Sequence, residues 1–222
     1  MCEVWFADPA AQSERHLALL DPTERGRRDA LRNPPDQARF TVAATLLRLT
    51  VATSLQVRPA AVPIDRTCDR CGAPHGKPRI PGTDLHVSVS HAGARVAVAL
   101  TRLGPVGVDV EEIVELEASQ LGALVLGPGE TVGDLGDFFV TWCRKESVVK
   151  AVGDGLRAPM TGVLLGPPDE PPRLRAYPGR PDLVAWMCDL APGDGYAGAL
   201  TVLTDATPQV RQQWADQLLA TA

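Results

Sequence analysis

The chain has 222 residues, enough for one large domain or two small ones in contact, and roughly 70% of the unfolded surface can be buried at this size. Lys and Arg number 22 against 27 Asp and Glu, a net charge of −5 that argues against nucleic acid held by bulk charge. No run approaches the ~20 apolar residues of a membrane span, and Met1-Cys2-Glu3-Val4-Trp5 lacks the basic and apolar regions of a secretory signal, so a cytoplasmic protein without membrane contact is expected.

Val4-Trp5-Phe6 reads as a first strand, and Asp21-Pro22-Thr23-Glu24 carries the cap, proline and acidic first turn of a helix start. Phe40, Ala44, Leu47, Val51 and Leu55 recur at helical spacing and predict a helix over 36–55. Residues 59–81 hold Pro, Gly and Cys without period and read as a loop. Alternation over 85–91, a turn at Ala92-Gly93 and the apolar run 96–100 predict a hairpin.

After Gly104-Pro105 a strand is expected at 106–111, then a helix over 137–152 stopped by Gly153-Asp154-Gly155. Six prolines in 167–181 mark a surface excursion, and 183–190 with 198–203 read as a closing strand pair. The order helix, loop, hairpin thus occurs twice, which predicts an α+β protein of two similar halves, 1–103 and 104–222.

Cysteines stand at 2, 68, 71, 143 and 188, an odd and scattered set that does not suggest structural disulfides. Cys68, Cys71 and His75 offer three zinc ligands, but a structural zinc site needs four and no second Cys/His pair answers them, so the segment reads as a reduced loop. Of the 22 basic residues only Lys77, Lys145 and Lys150 are lysine. In a chain that otherwise uses Arg, each marks a place suited to a compact ammonium.

The period of two in 106–111 puts Asp109 and Glu111 on one face, about 6.5–7 Å apart, opposite Val106, Val108 and Val110. Such a pair is a wet strand face or a cation site. On the second helix Trp142, Glu146 and Lys150 share a side; alone, Glu146 and Lys150 are a surface pair, but the tryptophan places them at a packed edge. Gly76-Lys77-Pro78 and Ser90-His91 offer close backbone approach, a mobile charge and hydroxyl and imidazole groups suited to phosphate oxygens, without the spacing of a P-loop. Together they describe a site for a phosphorylated ligand with a hard divalent cation.

Gly76-Lys77-Pro78, Val87-Ser88-Val89-Ser90-His91, Gly107-Val108-Asp109-Val110-Glu111 and Trp142-Cys143-Arg144-Lys145-Glu146-Ser147-Val148-Val149-Lys150 resemble, in order, the signature blocks of the surfactin-synthetase-type 4′-phosphopantetheinyl transferases. The resemblance implies two halves related by a pseudo-twofold with the active site in the cleft between them, and a monomer. It implies transfer of the phosphopantetheine arm of coenzyme A to a serine of an acyl or peptidyl carrier protein. Asp109, Glu111 and Glu146 would then bind Mg²⁺, Glu146 would also act as base, and Lys150 would neutralise the pyrophosphate. Gly76, Lys77, Pro78, Ser90, His91 and Arg39 would hold the nucleotide. Arg25, Arg27, Arg28 and Arg32 are further basic residues near the first helices, and Val87 and Val89 stand where the family usually has aromatic or Asn residues. A non-catalytic coenzyme A or carrier-binding module and a magnesium pyrophosphohydrolase are the alternative readings.

Overall fold

Two long helices each cover one sheet, the first mixed and the second antiparallel, and the sheets pack face to face. A computed structural model of the chain describes residues 1–115 and 118–222, with side chains apart from 118–121 and 156. The elements are β1 (Cys2–Ala7), α1 (Glu14–Leu17), α2 (Pro22–Asp29), α3 (Pro34–Leu55), β2 (His86–Ala92), β3 (Arg95–Thr101), β4 (Val106–Glu112), α4 (Ala118–Val125), α5 (Leu135–Val152), β5 (Leu164–Leu165), β6 (Leu174–Ala176), β7 (Trp186–Asp189), β8 (Tyr196–Val202), β9 (Val210–Trp214) and α6 (Asp216–Ala220). No helix among the described residues is long and apolar enough to cross a membrane.

The first sheet has the order β2-β3-β1-β9 and the second β4-β8-β7. The units β1-α3-β2-β3 and β4-α5-β7-β8 share one topology: strand, helix, then a hairpin whose second strand pairs antiparallel with the first strand of the unit. Alternation along each strand builds the layers. On β3, Val96, Val98 and Leu100 face α3, while Ala97 and Ala99 turn with Val4 and Phe6 toward Val106, Val108, Val110, Leu200 and Val202 of the second sheet. The other face of the second sheet is covered by α5 through Phe139, Cys143, Val148 and Val149.

Several expectations need correction. The spacing in α3 suggested one apolar stripe, but residues 41–52 are buried all round, because α2 and the loop after α3 cover the side away from the sheet. The 167–181 excursion contains β6, paired with β5, and the carbonyls of Pro167, Pro168 and Glu170 accept hydrogen bonds from buried Arg144. The closing strands are 186–189 and 196–202, offset from the expected ranges. Strand β9 was not anticipated, since only Val210 and Trp214, interrupted by Gln212, mark an apolar face in Val210-Arg211-Gln212-Gln213-Trp214; it lies parallel to β1 at a sheet edge. The end of the chain therefore packs with the beginning, across the expected division at 103/104.

Helix α2 is pinned to α3 by a buried ion cluster. Asp21 and Glu24 form a reciprocal cap at its start, and Arg48 of α3 donates to Glu24 Oε2 (2.7 Å), Asp21 Oδ2 (2.6 Å) and the Val62 carbonyl (3.2 Å). Removing one partner of a buried pair strands the other. Arg48→Met is expected to lower stability by about 3–5 kcal/mol, read from urea unfolding, and a loss under ~1 kcal/mol would show that the cluster does not hold α2.

Candidate active site

Glycine at 107 sets how closely helix and sheet approach. A Cβ there would lie 1.9 Å from the Ser147 carbonyl oxygen and 2.5 Å from the Ala151 nitrogen, so α5 rests directly on the β4 backbone. Val106, Val108 and Val110 fill the inter-sheet core, and the opposite face of β4 carries Asp109 beneath α5. The Asp109/Glu111 face is thus roofed by a helix.

Asp109 is 1% exposed, and Lys150 Nζ donates to its Oδ1 at 2.6 Å. Ser90 Oγ donates to the same oxygen (2.8 Å) while accepting from Lys150 Nζ (2.8 Å) and, at 3.4 Å, from the Val110 amide. Ser88 Oγ accepts from the Val108 amide (3.0 Å). The two serines stand in for a backbone ladder where β2 meets β4, and their spacing is the reason the edge of one sheet registers on the edge of the other.

These groups open on a cavity of about 330 Å³ lined by Asp109, Glu111, Glu146 and Lys150 of β4 and α5, by Arg27, Arg66 and His91 from earlier in the chain, and by Phe40, Val89 and Trp142. A second cavity of about 190 Å³ adjoins it through Arg27 and Arg66. Burial, then the Asp109 carboxylate, pushes the Glu111 carboxyl up to about 7. Burial and Asp109 also raise Glu146. Burial, then Arg27, lowers Arg66 to about 10. His91 opens to solvent at the mouth, yet desolvation by the surrounding walls, then Lys150 and Arg39, holds its imidazole below the ordinary range. Burial and the two carboxylates of β4 keep the Cys143 thiol protonated, so it is no nucleophile.

Four residues that line the cavity each carry a buried polar atom without a protein partner: Asp109 Oδ2, Arg27 Nη1, Arg66 Nε and Trp142 Nε1. Such atoms cost free energy unless a ligand meets them. Three carboxylates against one lysine suit a hard cation, which carboxylate oxygens prefer, and the Arg27 and Arg66 guanidiniums suit an anion. The three carboxylates face one space, but their oxygens are not all drawn within 4.8 Å of one another, as mutual repulsion requires without a cation.

The remaining expected ligands lie elsewhere. Lys77 Nζ donates to the Ala151 carbonyl (2.8 Å) at the C-terminal end of α5, where burial lowers it to about 8. Gly76 serves backbone approach: its amide donates to the Arg66 carbonyl at 2.7 Å, and a Cβ would meet the Thr67 oxygen at 2.8 Å. Pro78 is buried beside it. Arg39 pairs with Asp36 and donates to the Gly93 carbonyl (3.1 Å). None of these four lines the cavity, whereas Arg27, grouped earlier with other helix arginines, and Arg66 do. Nothing in the sequence near Arg66 distinguishes it from the other loop arginines. Adjacent residues on α5 also diverge: Glu146 faces the cavity, while Lys145 is fully buried and donates to Val125 O (2.7 Å), Met160 O (3.0 Å) and Glu130.

Residues 105–201, which carry this acidic strand and helix, match the family described as the 4′-phosphopantetheinyl transferase superfamily. This part of the chain is similar to that family. The 4′-phosphopantetheinyl transferase HetI of Nostoc sp. is 26% identical over 204 residues, covering 87% of this chain and 83% of that protein. The 4′-phosphopantetheinyl transferase Sfp of Bacillus subtilis is 26% identical over 160 residues, 67% of each chain. The elements β4 to β8 are the matched part; Arg27, Arg66 and His91 come from outside it.

A buried carboxyl raised in the fold is most stabilising while protonated. In metal-free buffer the fold therefore loses stability as pH climbs from the ordinary carboxylate range, near 4.5, to about 7, where Glu111 ionises. Glu111→Gln is expected to raise the thermal midpoint measured with chelator at pH 8 and to leave it unchanged at pH 4. An equal shift at both would remove Glu111 as the titrating group.

Proposed function

We propose that the protein transfers the 4′-phosphopantetheine arm of coenzyme A to a serine hydroxyl of an acyl or peptidyl carrier protein, with Mg²⁺ bound by Asp109, Glu111 and Glu146. The observation that carries the reading is the cavity that gathers Asp109, Glu111, Glu146 and Lys150 with Arg27, Arg66 and His91, built around the family-matched strand and helix. We read the two units of like topology as halves of about 1–103 and 104–222 related by a pseudo-twofold, with the site in the cleft between them, in a cytoplasmic monomer.

In this reaction the serine oxygen forms a bond to the phosphorus that bears the pantetheine, and the pyrophosphate P–O bond breaks. The electron pair leaves on the oxygen of adenosine 3′,5′-bisphosphate. The cation, when bound, would neutralise pyrophosphate oxygens and bring two carboxylates into charge balance. Glu146, raised toward the working pH, is the base that takes the serine proton, directly or through water. Lys150, fixed by Asp109 and Ser90, supports the negative charge of the leaving group. Ser90 has spent its hydroxyl on that bond, so it positions rather than binds. The 3′-phosphate falls to Arg27 and Arg66, with His91 at the mouth, in place of Lys77 and Arg39; Phe40, Val89 and Trp142 supply an apolar flank.

Intact-mass analysis of an apo carrier with coenzyme A and Mg²⁺ tests the activity: one phosphopantetheine is gained, and the gain is lost with chelator. Free 4′-phosphopantetheine with an unmodified carrier would replace this reading by hydrolysis. Glu146→Gln is expected to abolish the gain, since it removes a metal oxygen and the base together, and near wild-type turnover would exclude both roles. Arg66→Ala should raise KM on the order of tenfold for coenzyme A, as loss of one charged hydrogen bond does, and far less for 3′-dephospho-coenzyme A. Equal losses would move the 3′-phosphate elsewhere.

A further inference from the structure

The loop that brings Arg66 to the cavity is the tip of a small hairpin. Asp65 and Arg79 close it through two backbone hydrogen bonds (3.0 and 2.8 Å), and a β-bridge joins Arg79 to His86 of β2. Inside the closure Gly72, at φ +71°, turns the chain, its amide donating to the Cys68 carbonyl, while the Cys68 amide donates to Ala73 O (both 2.9 Å). This fold-back brings together the three side chains that spacing alone could not join. Cys68 Sγ, Cys71 Sγ and a ring nitrogen of His75 lie within 4.8 Å of one another, the one such group of metal-ligating atoms among the described residues.

Two of the three groups touch directly, a contact that a shared ion would open to about 3.5 Å. Cys71 Sγ and His75 Nε2 are 3.0 Å apart. The nearby backbone of Arg70 and Cys71 holds the Cys68 thiol below its ordinary range. Asp69, between the cysteines, is turned away onto Arg79 (2.6 Å). Cys71 and His75 are exposed, so a fourth position is open to water. Two sulfurs and one imidazole select a borderline-soft ion and reject Mg²⁺, the reverse of the all-oxygen carboxylates of the cavity.

We infer that Cys68, Cys71 and His75 bind one Zn²⁺, with water as fourth ligand, and that the ion clips the 65–79 hairpin. The clip has a mechanical reach. Immediately before Cys68 stands the Arg66-Thr67 backbone on which the Gly76 amide closes, and immediately after His75 come Gly76 and Lys77, the latter bonded to the end of α5. The ion thus fixes the two ends of the segment that carries Arg66 into the cavity. This site and the transferase reading stand independently.

The test is metal content, not turnover. The full chain, reduced, stripped with chelator and dialysed against zinc, is expected to retain about one zinc by elemental analysis, as a Cys/His site does. Loaded with Co²⁺ in place of zinc, it should show thiolate-to-cobalt charge transfer and the strong visible bands of tetrahedral coordination. Cys68→Ser and His75→Ala should lose both, and His75→Cys should restore the metal with added thiolate absorption, which a residue serving only the loop's shape would not do. Buried Cys2 and Cys143 report the background through Cys143→Ala, which should change nothing. Wild-type protein that retains no more zinc than Cys68→Ser, or cobalt spectra without sulfur charge transfer, would overturn the site. So would a Cys68–Cys71 disulfide forming in air at the same rate with and without zinc.

Discussion

The bond from Lys150 to Asp109, shared by Ser90, is where three elements of the molecule meet: β2 supplies the hydroxyl, β4 the carboxylate and α5 the ammonium. It sits at the one place where the two sheets touch edge to edge, and it exists because glycine at 107 lets α5 down onto the strand. Raise the helix by the width of a methyl group and Lys150 leaves Asp109, the buried carboxylate loses its counter-charge, and the serine loses its reason to point inward. An unpaired buried carboxylate costs several kcal/mol, so helix height, sheet register and charge are one constraint and not three.

Electrostatics divide the scaffold from the site. The buried charges of the scaffold are paired, Glu24 Oε1 alone among their oxygens lacking a partner: Arg48 with Asp21 and Glu24, Arg144 with both oxygens of Asp189 (2.8 and 2.7 Å) and three carbonyls, Lys145 with Glu130 and two carbonyls. The cavity is less fully paired. Of six buried side-chain polar atoms without partners among the described residues, four belong to residues that line it. Three carboxylates there share a single lysine, and two guanidiniums lie near enough to repel each other. A ligand that brings both a cation and anionic groups satisfies both, which is the charge pattern of a metal-bound pyrophosphate with a separate phosphate.

What the sequence made legible follows the rules that act within a few residues. The period of two in 106–111 separated core valines from Asp109 and Glu111, and the four-residue spacing of Trp142, Glu146 and Lys150 put them on one wall, because those are local geometries. What it hid depends on chain segments far apart. Lys77 looked like a phosphate ligand, but whether its four-carbon stem reaches a ligand or the end of α5 is decided by how the 65–79 hairpin lies on the second half. Arg66 carries no pattern at all, and β9 has only an interrupted apolar face, its place being set by a free edge on β1. Cys68, Cys71 and His75 were visible as spacing, while their convergence came from one left-handed glycine and two backbone bonds.

The three lysines show why composition was informative without being sufficient. Each ammonium sits where acceptors converge on a point: three on Lys145, two on Lys150, the end of a helix on Lys77. Arg144, one residue from Lys145, instead meets a carboxylate side-on with its fork, a geometry no ammonium fits. The chain uses lysine for convergent acceptors whether or not chemistry is near, so lysine scarcity located three tight polar junctions, only one of which is in the cavity. Discriminating that one required a second property, an adjacent charge left unbalanced, and that property is visible only when β2, β4 and α5 are brought together.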